Sequence, residues 1–416
     1  MEKEYKKKLN SLIINEITKG KANFGTLLKN LPGIYPTLLL ERLEVLNYEN
    51  KIPGIVFEFA QKYVAKNSIK NSSKVKIDKV IPCPHPLDFE WRYTCETRKY
   101  LKHLCYKVTG QSDKILFIGA PTLYISTVKE NPLRNPFLMD NNNEILNSIA
   151  ENFNSAGLIN YDVFEMDPPN FKTSCVVVDP PWYKQHFQAF LWTASKMVDL
   201  NSTVFISFPS LGTRPTVLKE RIDLTNFARS VGLELINTEN NSIRYISPFF
   251  EFNALRAQNI LNYPIDWRNG DLLVFKKIEK VKKDKIINNL NPEYWTSVRN
   301  GDLKVKIKLN DTYNSKSNYL DPIVKGDILP TVSTRDKRRK KATIWTSGNR
   351  IFRSSNPNLI KTLLESLISE KNQNLKLDPL HPISKSKIRM IQNQLQNILT
   401  QEKNDYEIYL RRVIEL

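Results

Sequence analysis

Asp179, Pro180, Pro181, Trp182 and Tyr183 stand in one run directly behind Val176, Val177 and Val178. In this order, the residue types build an acceptor for an amine nitrogen. The Asp179 carboxylate and the backbone carbonyls of Asp179 and Pro180 can each take a hydrogen bond from an N–H. The two prolines have no N–H and hold φ fixed, so the chain turns rigidly with its carbonyls outward. Trp182 or Tyr183 supplies a ring on which a planar base or an apolar stem can lie. The three valines predict a strand buried on both faces, as in a parallel sheet. The carbonyl end of such a strand is where open α/β sheets take their ligands.

Asp-Pro-Pro-Trp at 179–182 resembles the fourth motif of class I S-adenosylmethionine-dependent amino-methyltransferases, which act on exocyclic nitrogens of adenine or cytosine. The resemblance implies S-adenosylmethionine as cofactor and three binding residues for it. Gly119 lies in the turn after the first strand, where backbone approaches the methionine moiety. Asp140, closing Phe137-Leu138-Met139-Asp140, falls where an acid binds the ribose hydroxyls. Asp167, after Val163-Phe164-Glu165-Met166, is offered to the adenine amino group. The family's turn carries further glycines, whereas Gly119 is followed here by Ala120-Pro121-Thr122.

The catalytic set under this resemblance is Asp179, Pro180, Pro181 and Trp182. Asp179 and the Pro180 carbonyl would accept the two amino protons and localise the nitrogen lone pair in line with the methyl group. A base in a duplex would first be flipped out. Tyr183 and Phe208, the latter in Phe208-Pro209-Ser210 at the next strand end, are assigned to the substrate side. Arg244-Tyr245 and Phe249-Phe250-Glu251-Phe252 are further candidates for the pocket. His186 reads as a surface or cap residue of a helix sooner than as a base.

The elements that must position these residues follow a doubly wound rhythm over residues 113–277. Strands are predicted at Lys114–Ile118, Pro136–Met139, Tyr161–Phe164, Cys175–Val178, Thr203–Phe208, Leu233–Ile236 and Leu272–Lys276. Helices are predicted at Gln185–Val198 and Leu218–Val231, and an amphipathic one at Thr97–Val108. The fold class is α/β, with a Rossmann-like seven-stranded methyltransferase-type sheet at 76–279. The aromatic, Pro-rich stretch from Pro82 to Tyr93 either lines a cleft or straps two domains together.

Residues 1–75 read as a helical, winged-helix-like module. Asn23–Gly33 and Tyr35–Leu43 give two short helices about a Gly turn, with Pro36 in the first turn of the second. That second helix is leucine-rich and carries Glu41 and Glu44, unlike a helix that reads DNA bases. The module is therefore expected to be structural or to form a homodimer. This layout resembles the branched-chain polyamine synthases, which also join a winged helix to a Rossmann-like domain with an Asp-Pro-Pro-aromatic motif. Their first-strand turn is Gly-Asp-Asp-Asp, an acidic nest for a polycation. Gly119-Ala120-Pro121-Thr122 has no acid, and a net charge of +19 repels polyamines.

Residues 280–416 form a basic α+β region. Residues 276–353 hold 20 Lys and Arg against 8 Asp and Glu, a density suited to nucleic acid or to an acidic protein partner. Leu303–Leu309 alternates apolar residues with lysines, predicting a strand with one lysine face. Arg335-Asp336-Lys337-Arg338-Arg339-Lys340-Lys341 is the densest basic run, with Lys337, Arg338, Arg339, Lys340 and Lys341 assigned to the substrate, and Trp345 close by suggests a stacking platform beside a phosphate track. Helices are predicted at Asn358–Glu370 and Lys385–Val413.

Cys83, Cys95, Cys105 and Cys175 lack metal-ligand spacing and read as reduced thiols, so no metal site is expected. No membrane span and no signal peptide are indicated, and a cytoplasmic location is expected. The sequence thus favours an S-adenosylmethionine-dependent N-methyltransferase acting on an amine of nucleic acid. A catalytically inactive methyltransferase-like binding or scaffold protein is the first alternative, because of the turn at 120–122. Aminopropyl transfer is the second.

Overall fold

Strands and helices alternate through the middle of the chain and build one mixed sheet. The structure is a computed structural model that describes residues 2–20, 23–65, 75–77, 80–131, 134–153, 157–285, 293–309, 319–369 and 384–415. Four helices come first, α1 (Glu2–Thr18), α2 (Phe24–Asn30), α3 (Pro36–Tyr48) and α4 (Gly54–Ala65), followed by strand β1 (Val75–Ile77). The central region runs β2 (Arg92–Tyr93), α5 (Cys95–Val108), β3 (Lys114–Ile118), α6 (Pro121–Glu130), β4 (Asn135–Asp140), α7 (Asn143–Asn152) and β5 (Leu158–Asn160). It continues through β6 (Thr173–Val178), α8 (Lys184–Met197), β7 (Val198–Pro209), α9 (Val217–Ser230), β8 (Leu233–Ile246), α10 (Phe249–Arg256) and β9 (Arg268–Lys277). The last region holds β10 (Trp295–Asn300), β11 (Leu303–Lys308), β12 (Asp321–Pro322), β13 (Ile344–Thr346), β14 (Ile351–Arg353), α11 (Pro357–Ile368), α12 (Lys385–Leu410) and β15 (Val413–Glu415).

The central sheet has the order β2-β8-β9-β7-β6-β3-β4-β5. Strands β7, β6, β3, β4 and β5 are mutually parallel, while β9 runs antiparallel to both β7 and β8. Residues of successive parity face opposite layers. Leu116, Ile118, Val176, Val178 and Ile206 pack on α8 and α9. Ile115, Phe117, Cys175, Val177 and Phe205 pack on α5, α6 and α7. The chain winds outward from β3 through β4 to β5, then returns to β6 on the other side of β3. The switch point of the sheet therefore lies between the carbonyl ends of β3 and β6, where such folds bind ligands.

Two sequence expectations change here. The sheet has eight strands, not seven, because Arg92 and Tyr93 pair with Ile246 and Tyr245 at one edge. The strand expected at Tyr161–Phe164 is instead Leu158–Asn160. Asp162 turns the chain early, its Oδ1 accepting the N–H of Phe164 at 2.8 Å and of Glu165 at 3.3 Å.

The N-terminal region shows helices but no winged hairpin among the described residues. Strand β1 pairs in parallel with β15 from the far end of the chain. The leucines of α3 serve packing: Leu39, Leu43 and Leu46 join Phe249, Trp267 and Tyr409 in one core. In the C-terminal region a five-stranded antiparallel sheet, β10-β11-β13-β14-β12, is covered by α11 and α12.

The basic features of this region are placed differently from the sequence reading. Trp345 is 1% exposed, donates its indole N–H to Asn349 at 3.0 Å, and has the Arg339 guanidinium 4.5 Å over its ring. It is a core residue and offers no stacking platform. Arg339 is buried and Arg338 pairs with Asp336 at 2.6 Å, which leaves Lys337, Lys340 and Lys341 exposed. The lysine face of β11 is turned onto acids: Lys304 meets Asp88 at 2.7 Å and Glu144 at 2.8 Å, and Lys306 meets Asp88 at 2.5 Å.

Candidate active site

β3 and β6 end side by side. Ile118 is in register with Val178, and the Asp179 N–H donates to the Ile118 carbonyl at 3.0 Å. Gly119 follows with φ +67°. A Cβ there would sit 3.0 Å from the Asp179 carbonyl oxygen and 3.1 Å from Phe190, so the strand ends approach because this residue has no side chain. The next residues need no glycine. Pro121 occupies the first turn of α6, where its missing N–H goes unused, and Ala120 and Thr122 are buried.

Two cavities open at this point. One, of about 500 Å³, is bounded by Gly119, Asp140, Asp162, Phe164, His186 and Phe190. The other, of about 360 Å³, is bounded by Trp91, Asp179, Pro180, Trp182, Tyr183 and Tyr245. Phe89, Glu90, Gly119, Asp179 and Pro181 line both. The two are halves of one cleft that meet at the Asp-Pro-Pro turn.

In the larger half, Asp140 ends β4 and accepts the Asn142 N–H at 2.9 Å. Burial lifts its carboxyl to about 7. Asp167 is exposed and lies outside the cavity. The acid that the end of β5 delivers is Asp162, whose Oδ2 accepts from Asn141 at 3.1 Å. His186 opens α8 and is part of the wall, with its ring edge-on to Phe164 at 5.2 Å. Burial pulls it down to about 4, so it is neutral near pH 7.

In the smaller half, Asp179 accepts the Tyr245 hydroxyl at 2.6 Å, and burial lifts its carboxyl to about 7. Trp182 stands edge-on to Tyr245, centroids 5.6 Å apart, and its carbonyl accepts Arg214 at 2.8 Å. Tyr245 and Phe250 line the cavity as the sequence suggested, but Phe249 and Phe252 lie in the core against Tyr409. Arg244 reaches the Lys29 carbonyl at 3.0 Å instead of the cavity. Phe208 is fully buried against Phe187, 5.0 Å away, and does not reach the substrate side. The parity of β7 explains this: Phe208 shares the face of Ile206, and it is Ser207 that turns toward the site.

Sequence reasoning missed several walls, though it offered the Pro-rich stretch from Pro82 to Tyr93 as a cleft lining or a strap. The segment Pro86–Trp91 is both strap and lining, since Phe89, Glu90 and Trp91 bound the cleft. It is anchored by His85, whose Nδ1 accepts the Leu87 N–H at 3.1 Å while Nε2 lies 2.9 Å from the Trp345 carbonyl. The smaller half also receives Tyr35 from the N-terminal region, Arg268 from β9, and Ser333 and Arg335 from the C-terminal region. Arg268 lies 4.1 Å over the Trp91 ring and pairs with buried Glu251 at 3.2 Å. Lys304 and Lys306 line the larger half. Among these, the Pro-rich aromatic stretch, the lysine-faced strand at 303–309 and the basic run that opens at Arg335 carried a signal in the sequence, whereas Tyr35, Arg268 and Ser333 carried none for the site.

Residues 91–240 match a family model described as probable N6-adenine methyltransferase; this stretch holds Gly119, Asp140, Asp162 and Asp179–Trp182. No curated protein matches the chain. The branched-chain polyamine synthase from Thermus thermophilus, solved with N4-aminopropylspermidine and 5′-methylthioadenosine, is similar at 10% identity and a TM-score of 0.51, over 67% of this chain and 90% of that one. A mutein of it aligns over the same shares at 9% identity and a TM-score of 0.51. A putative RNA methyltransferase from Pyrococcus horikoshii aligns at 16% identity and a TM-score of 0.36, over 53% of this chain and 98% of that one. The likeness to the Thermus enzyme is one of fold, an α/β Rossmann-like fold with a mixed sheet.

Proposed function

We propose that this protein is an S-adenosylmethionine-dependent N-methyltransferase whose acceptor is the exocyclic amine of a nucleic-acid base, with adenine the first candidate. The observation that carries the reading is the place of Asp179, on the wall common to both cavities. A donor in one half and an acceptor in the other would meet at that carboxylate.

The larger half fits the cofactor. It is lined at the strand ends by the side-chain-free backbone of Gly119, by Asp140 as an acid for the ribose, and by a second acid, Asp162, for the adenine amino group. When bound, the cofactor would supply an electrophilic methyl group on a sulfonium, whose sulfur keeps the electron pair of the broken S–C bond and leaves as a neutral thioether. Asp179 and the Pro180 carbonyl accept the acceptor's N–H groups and free its lone pair. Trp182 and Tyr183 hold the base edge or face. The amine gives up one proton as its new N–C bond forms, and Asp179 is the group placed to take it.

The charge pattern supports a base over a polyamine. Glu90 is paired with Arg92 at 2.7 Å and Arg214 is bonded to Glu220. Arg335 at the rim is exposed and makes no ion pair among the described residues, its charged neighbour being Glu220. A polycation would meet one unpaired carboxylate and an exposed guanidinium, whereas a phosphodiester suits that rim. The family match to probable N6-adenine methyltransferase points the same way.

Isothermal titration with S-adenosylmethionine, beside Asp140→Ala, tests the cofactor, and binding that the variant loses is the expected result. Methyl transfer is then measured on single-stranded oligonucleotides with adenine, with cytosine, or with neither, and on spermidine. Transfer to the adenine strand, abolished in Asp179→Ala with cofactor affinity kept within a few-fold, is expected. Equal transfer by Asp179→Ala and its parent would reduce the motif to a turn. No heat of binding in a folded sample would leave a scaffold protein as the reading.

A further inference from the structure

Three hydroxyls converge on Asp179, each from a different strand. Tyr245 of β8 donates to its Oδ1 at 2.6 Å. Tyr93 of β2 and Ser207 of β7 share a hydrogen bond with each other, which leaves one hydroxyl proton of the pair for the Asp179 carboxyl beside them. Tyr93 and Tyr245 are register partners on adjacent strands, ring centroids 5.1 Å apart. All three side chains are 2% exposed or less. A buried hydroxyl costs stability unless it is bonded. Here the three satisfy one another and a single carboxylate, a network that a simple strand-to-turn junction would not need.

We propose that Tyr245, held in place by Tyr93 and Ser207, is a positioning residue that fixes the Asp179 carboxylate for the acceptor amine. This rests on the methyltransferase reading of the same site. An aspartate turns about two side-chain torsions, and in-line transfer tolerates little misplacement of its acceptor. The hydroxyl commits one oxygen of the carboxylate and thereby orients the other. Tyr245 also bounds the acceptor cavity through its ring, so hydroxyl and ring must be separated in the test.

Tyr245→Phe keeps the ring and removes the hydroxyl. It should lower kcat by about 10- to 100-fold, with KM for the oligonucleotide within a few-fold and cofactor affinity unchanged. The hydroxyl favours the charged carboxylate, so its loss should move the acid limb of the kcat profile upward by about one pH unit. A 13C NMR titration of the Asp179 carboxyl in the cofactor-free protein reads that same shift without any turnover. Ser207→Ala should move it in the same direction by less, and serves if Tyr245→Phe does not fold. An Asp179 titration unmoved in these variants overturns the proposal. A shifted titration in a protein that transfers no methyl group sinks the methyltransferase reading but upholds the hydroxyls as the groups that hold Asp179.

Discussion

Asp179 has to be an anion to accept an amine proton, and burial raises its carboxyl to about 7 against the lowering effect of the Tyr245, Tyr93 and Ser207 hydroxyls. Methyl transfer should therefore rise with pH through about 7 and be lost below it as the carboxylate protonates. Stability runs the other way. The folded chain binds this proton more tightly than the unfolded chain, so the contribution of Asp179 falls as pH climbs from the ordinary carboxylate range to about 7. Asp140 is raised to about 7 by burial and acts in the same direction. Asp179→Asn cannot ionise, so its Tm relative to the parent should increase between about pH 5 and about pH 8, while transfer is absent throughout. Thermal melts across that range check this; a Tm difference that does not grow would remove the buried anion from the account. At this scale the motif was legible because four adjacent residues form a rigid turn whatever surrounds them. Asp162 was not, because its own side chain ends β5 before Asp167 can reach the cleft.

The strands of the central sheet were legible at their hearts because runs such as Ile115–Ile118 and Val176–Val178 are buried on both faces. Their ends were not, since the bends that stop or extend them depend on side-chain bonds and on register. Phe208 was misplaced for that reason: a strand residue's face is known only once the pairing is. The turn after β3 looked poor in glycine, yet the structure needs glycine only at 119. Gly119→Ala tests that. It combines a left-handed φ with a Cβ 3.0 Å from the Asp179 carbonyl and 3.1 Å from Phe190. Gly326→Ala is the control, with φ +77° and nothing within 4 Å. The control should lose about 1–2 kcal/mol from backbone strain alone. Gly119→Ala should lose more in urea unfolding, and it should also weaken cofactor binding by displacing β6 from β3. Equal losses would mean that the two strand ends can part without cost to the site.

Across the whole molecule, the cleft is assembled from all three stretches of chain, which no local pattern announces. The N-terminal region sends Tyr35, and the C-terminal region sends Ser333 and Arg335 to one half and Lys304 and Lys306 to the other. The charge-rich region read as a nucleic-acid track therefore spends part of its charge inward. Lys304 is 3% exposed between Asp88 and Glu144, and Lys304→Met should destabilise the protein by less than the ~3–5 kcal/mol of a fully broken buried pair, because Lys306 still meets Asp88. Of the run at 337–341, three lysines, Lys337, Lys340 and Lys341, are exposed to a polyanion. Each phosphate contact contributes about 0.9 to the slope of log affinity against log salt for a duplex. Changing Lys337, Lys340 and Lys341 together to Gln should thus reduce that slope by up to about 2.7 and weaken all sequences alike. Trp345→Ala should lower the unfolding midpoint instead of altering preference between single and double strands, because its ring sits in the core under Arg339. Fluorescence anisotropy with labelled strands over a salt series measures the slope, and urea unfolding measures the midpoint. A slope unchanged by the triple substitution would place the phosphate contacts elsewhere, with Arg335→Gln at the cavity rim as the next variant to try. Binding absent even at low salt would assign the three lysines to solubility.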